Sequence, residues 1–175
     1  MPDEINADLF GRDVSYQLPS NWLAYWTFML RLIVGFWFFH AGITKFLGAE
    51  AFDASGYLKF AAQGTLMEGV VAPFASGAPL ALVNLMIPLG ETLIGLGLLV
   101  GLLVRTASFF GVMLMVFFVT INVGWGHGIV NSDLMGLLFF VTMIVLGAGR
   151  VWGLDAIVED TAVVKQNPVL RYFLG

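Results

Sequence analysis

Hydrophobic positions in this chain fall into long blocks rather than alternating patterns. A membrane-spanning helix needs roughly 20 mostly apolar residues. Four blocks answer to that, at 22–47, 80–103, 106–123 and 132–148. Only "VRT" separates the second from the third, so those two are predicted to be antiparallel neighbours. The connection 48–79 is apolar in places but holds no spanning run. Connections this long in a compact domain are usually functional. Short helices are expected in it, with Phe52, Tyr57, Phe60 and Phe74 available as a lid over the bundle or as a membrane-hugging connector. The pattern predicts an all-α integral membrane protein, a four-transmembrane-helix bundle with a long outer loop containing short helices. A polar N-terminal segment (1–21) precedes the bundle (22–148), and a C-terminal tail (149–175) follows it.

Composition supports that class. Of 175 residues, 59% are hydrophobic and 11% charged. Soluble domains carry about 45–50% apolar and about 25% charged residues. There are no cysteines, which excludes disulfides, cysteine-ligated iron–sulfur clusters and a cysteine nucleophile. A net charge of -4 argues against nucleic acid as a partner. The N-terminus has neither the basic start nor the apolar core of a signal peptide.

Lysines and arginines set orientation. Arg12, Arg105, Arg150, Lys165 and Arg171 fall on one side of the predicted bundle, Lys45 and Lys59 on the other. This predicts a multi-pass plasma-membrane protein with both termini cytoplasmic and the loop 48–79 outside.

Ionisable groups inside a spanning segment are costly and tend to face a bundle interior or a cavity. Here they are Arg31, His40 and Lys45 in the first block and Glu91 in the second, with Asn84, Asn122 and Asp133 toward the outer ends. Counting rise from the outer helix ends puts His40 roughly 10 Å deep, Glu91 roughly 16 Å and Arg31 roughly 24 Å. Glu91 is therefore expected to pair with Arg31 or His40. An Arg31–Glu91 pair would fix the fold; a free Glu91 would be a proton carrier or ligand contact. Lys45 either snorkels to the interface or attracts an anion. His40 is either a core histidine bonded across helices or part of a site. Pro88 should bend the second helix near Glu91, and Gly97-x-x-x-Gly101 has the spacing of close helix contacts.

The segment "GWGHGIVNSD", 124–133, breaks the last two blocks apart. Asn131 or Ser132 suits the cap of a helix, with Asp133 in its first turn. His127 has no such explanation and lies on the predicted side of His40 and Lys45, which makes this loop a candidate mouth of a site.

Three motifs in order carry a family resemblance. "LRLIVGFWFFHAGITKFLG" holds Arg31, Gly35, Gly42 and Lys45; "GETLIGLGLLVGLLVRTAS" holds Glu91, Gly95, Gly101 and Arg105; "GAGRVWGLD" holds Gly147, Gly149, Arg150 and Asp155. Together, over roughly residues 28–156, the chain resembles the DoxX/DoxD family of small four-helix membrane proteins. The resemblance implies a membrane subunit of a thiosulfate:quinone oxidoreductase, passing electrons from thiosulfate to a membrane quinone and forming tetrathionate. The acidic N-terminus and the long first loop are less family-like.

Two classes of function follow. In the first the chain is a quinone-linked oxidoreductase or its membrane subunit. Glu91, His40, His127 and Asp133 are then candidate proton donors, and Arg31, Lys45, Asn84 and Asn122 candidate substrate contacts. Quinone enters as a substrate; neither a bound prosthetic group nor a metal is expected, for there is no thiolate cluster and no dinucleotide-binding glycine fingerprint. In the second the chain is a non-enzymatic anchor, scaffold or assembly subunit of a redox complex. Lipid is a partner in both; a partner subunit and a homo-oligomer stay open.

Overall fold

The computed structural model describes residues 3–9, 12–18, 20–65, 67–121 and 130–175, with side chains from residue 20 onward. Two strands, β1 (Asp3–Leu9) and β2 (Arg12–Leu18), pair antiparallel ahead of the helices. The hydrophobic pattern did not anticipate this hairpin. The helical body follows: α1 (Ser20–Leu47), α2 (Ser55–Phe60), α3 (Glu68–Val71), α4 (Gly77–Val100), α5 (Val104–Ile121), α6 (Ser132–Leu146), α7 (Leu154–Glu159) and α8 (Ala162–Gln166).

Among the described residues three helices, α1, α4 and α5, are long and apolar enough to cross a membrane. The fourth block forms α6, of 15 residues. At 1.5 Å per residue that is about 22 Å, short of a hydrocarbon core of about 30 Å. Its limits are local. The Asn131 side chain accepts from the Leu134 N–H at 2.9 Å and starts the helix, as the capping pattern predicted. Gly147, at φ 58°, stops it in the left-handed region. Asp133 lies in the first turn.

Helix α1 packs chiefly on α4, and α5 on α6. Glycine permits the first contact. A Cβ at Gly42 would strike the Thr92 backbone, and one at Gly95 the Phe39 backbone. The expected Gly97/Gly101 contact is realised at one position only: a Cβ on Gly97 would meet Ala107 Cβ of α5 at 3.3 Å as well as Leu102 O at 3.1 Å, whereas Gly101 caps α4 at φ 70°. Val34, Phe38, Leu98, Met115, Phe140 and Met143 fill the core, with the Phe38 and Phe140 rings edge to face at 4.7 Å. Large apolar side chains on the outer faces, such as Trp26, Ile33, Phe109 and Val145, are exposed; an acyl-chain environment suits them as water does not.

The tail folds back on the turn between α4 and α5. Arg31 is 1% exposed and donates to the carbonyls of Ala148 (2.6 Å), Val151 (2.9 Å) and Trp152 (3.2 Å). Asp155, fully buried, accepts from the N–H groups of Leu103 (2.7 Å), Val104 (3.0 Å) and Gly175 (2.8 Å). It thus caps α5 and holds Leu103 at a strained φ of 53°. A Cβ on Gly149 would collide with the Asp155 carboxylate, and one on Gly153 with the Gly149 carbonyl.

Candidate functional site

The opposite end of the bundle is built differently. Segment 48–76 wraps over it as a lid, with α2 and α3 inside, matching the expectation of short helices. The lid has its own core: Ala54, Leu58, Ala62, Val71 and Ala75 close on Ile121 of α5. Asn84 of α4 pins it, its side-chain oxygen accepting from the Ala54 N–H at 2.8 Å. Pro88, four residues on, lacks the N–H that would bond the Asn84 carbonyl, so the ladder is broken beside the pin. Asp53 accepts from the Ser55 N–H at 2.9 Å and the Ser55 hydroxyl at 2.7 Å. These bonds, the backbone one foremost, hold the Asp53 carboxyl below its ordinary range.

Beneath the lid lies a cavity of ≈ 780 Å³. Phe52, Asp53, Tyr57 and Leu58 roof it. Val83, Ile87, Gly90 and Ile94 of α4 and Leu114, Phe117 and Phe118 of α5 wall it. Besides Asp53 in the roof, two charges stand in this largely apolar lining at the α1 side. Lys45 Nζ and Glu91 Oε2 form an ion pair; their side chains are 26% and 7% exposed. Lys45 also donates to the Ala41 carbonyl at 3.2 Å and lies 5.6 Å from the centre of the Phe52 ring. On the other side the rim is Met86 and Leu93 of α4 and Phe110 and Met113 of α5, each half-exposed on the outer face. The cavity therefore joins a charged pair to an opening on the apolar flank.

This arrangement corrects the expected pairing. Glu91 meets Lys45, not Arg31 or His40. Depth counted from helix ends misplaced them because α1 and α4 do not end at one level. Gly42 packs against Pro88 and Thr92, so the first turns of α4 rise past the end of α1, and the lid fills the step. Lys45, near the last turn of α1, is thereby level with Glu91. Arg31 falls at the far end, committed to backbone carbonyls. His40 is exposed, its ring 5.8 Å from Phe36, so it is no core histidine and does not line the cavity. Asp133 is half-buried on α6, outside the lining. Asn84 holds the lid rather than facing the cavity. Asn122 and His127, and with them most of "GWGHGIVNSD", lie outside the described residues.

Phe52, Tyr57 and Phe74 line the cavity as a lid should, whereas Phe60 points out. Sequence reasoning missed Asp53, Gly90, Phe117 and Phe118. Helical spacing from Glu91 would have found Ile87 and Ile94 on its face; the α5 residues carry no such signal. No group of three or more His, Asp or Glu placed to hold a metal occurs among the described residues.

The fold and site define a helical membrane protein whose buried cavity carries one ion pair and opens sideways. Residues 26–173 match the family model described as "TQO small subunit DoxD". The chain belongs to the DoxD family, as its three motifs suggested. No curated protein and no solved structure proved similar to it.

Proposed function

We propose that this protein is the quinone-binding membrane subunit of a thiosulfate-oxidising complex. The observation that carries the reading is the cavity: a charged pair on its α1 side and an apolar opening at its flank. Such a shape suits an amphipathic molecule with a polar head and a hydrocarbon tail, as ligand sites with few convergent polar groups generally do. The family description supplies the redox context.

The chemistry balances. Two thiosulfates joined as tetrathionate release two electrons, and a quinone taking two electrons and two protons becomes a quinol. Lys45 is a hydrogen-bond donor for one quinone oxygen. Glu91, ion-paired to it, is the relay that takes up a proton through the partly exposed Lys45 side and then hands it to the reduced quinone, twice for each quinol formed. Orientation by the lysine and arginine rule places the lid end outside, with both termini cytoplasmic and α6 completing a four-helix bundle.

The test is thiosulfate-dependent reduction of decylubiquinone by the purified protein, alone and with the products of neighbouring genes. Activity that falls at least about 100-fold in Glu91→Gln supports the role of a proton-transferring group. Absence of activity in every combination overturns the reading. The second reading, a non-enzymatic anchor, is favoured by the exposed apolar face of α1 at Trp22, Trp26, Ile33 and Phe36. It predicts a Glu91→Gln complex that assembles and turns over normally.

A further inference from the structure

Glycines within the long apolar helices α1, α4, α5 and α6 are mostly packed close; a Cβ on Gly97, for one, would meet Ala107 Cβ of α5 at 3.3 Å. A Cβ on Gly35, Gly42 or Gly95 would meet atoms of the facing helix at 3.0 Å or less. One on Gly111 would strike the Phe140 ring, and one on Gly136 the Met115 sulfur at 2.6 Å. Packing explains each of them. Gly90 is different. A Cβ there would meet nothing within 4 Å. Glycine is the poorest helix former after proline, so mid-helix Gly90 weakens α4 without letting another helix approach. It is half-buried, lines the cavity and adjoins Glu91 in sequence.

We propose that Gly90 is a specificity-determining position of this cavity, its bare backbone being the surface on which a planar ligand headgroup lies. The headgroup reaches Lys45 and Glu91 from there. Its hydrocarbon chain leaves over Met86, Leu93, Phe110 and Met113, between α4 and α5, so the ligand exchanges through the bilayer while the lid stays shut. A side chain at position 90 would project into the space the ring needs. The ring's identity as a quinone rests on the function proposed above; the requirement for a flat floor at Gly90 does not.

The experiment is equilibrium binding of decylubiquinone to the protein in nanodiscs, for wild type, Gly90→Ala, Gly90→Leu and Glu91→Gln, with thermal unfolding of each. Gly90→Ala is expected to unfold no earlier than wild type. Affinity should fall about tenfold in Gly90→Ala and further in Gly90→Leu, the scale of added methylenes in a fitted pocket. Gly90→Ala meets no neighbour and keeps the test decisive if the leucine variant folds poorly. Both glycine variants binding as wild type does, while Glu91→Gln weakens binding, overturns the Gly90 inference alone. A wild type that binds no decylubiquinone overturns the quinone reading of the site, and the Gly90 assignment for that ligand with it.

Discussion

The two ends of the bundle each bury charge, and they do so in opposite ways. At the tail end, the terminal nitrogens of Arg31 and the carboxylate of Asp155 bond to backbone groups of the turns around them. Neither residue lines the cavity under the lid. At the lid end, Lys45 and Glu91 bond to each other and look into it. A charge committed to backbone holds the chain in place. A charge held by another side chain can exchange that partner for a ligand. Burial alone therefore does not mark a functional residue in a membrane helix; what marks it is the kind of partner and the space beside it.

Breaking the tail end should have the largest effect. Arg31→Ala takes the donor from three carbonyls, that of Ala148 buried and those of Val151 and Trp152 part-buried, and a loss on the order of 3 kcal/mol is expected. It should appear as a collapse in monodisperse yield after detergent extraction, with quinone affinity unchanged in the molecules that fold. Asp155→Ala should follow it, since it removes the α5 cap and releases Leu103.

At the lid end the order reverses. Lys45→Met with Glu91→Leu removes both charges together, and replacing such pairs by apolar residues is often neutral for stability. Thermal unfolding should be close to wild type while the quinone reduction proposed for this site is lost. Unfolding as early as in Arg31→Ala would erase the distinction between the two ends.

Smaller effects should come from the lid. Asn84→Ala leaves the Ala54 N–H without its acceptor, at about 1 kcal/mol. Faster hydrogen exchange confined to segment 52–58, with α1 and α4 unaffected, would show the pin acting locally. The least effect is one of pH. The Asp53 carboxyl is depressed in the fold, so its contribution is full above the unfolded value of about 3.9. It is lost as pH falls through the depressed folded value. Lid protection should decline on acidification in wild type, and that decline should disappear in Asp53→Asn.

Much of this was legible in the chain itself. Apolar blocks located α1, α4 and α5, and the shorter α6, to within a few residues, because a helix in lipid must satisfy its own backbone and has to be apolar along its length. Capping of α6 by Asn131 was readable because it is a contact three residues long. The family was readable from three ordered motifs, and the structure gives several of their residues a reason. Gly42 and Gly95 let α1 meet α4, and Gly149 makes room for Asp155.

What the sequence by itself determined is thus whatever depends on spacing along one helix: its length, its ends, its faces. Which charges meet was decided only by the tertiary structure. The partner of Glu91 depends on how far α1 and α4 slide past each other, and that offset is set by backbone contacts at Gly35, Gly42 and Gly95 rather than by helix ends. The cavity likewise exists only because a lid with its own small core bridges the step that offset leaves. A pattern of residues records which groups are costly to bury; the slide between two helices determines which of them share the cost.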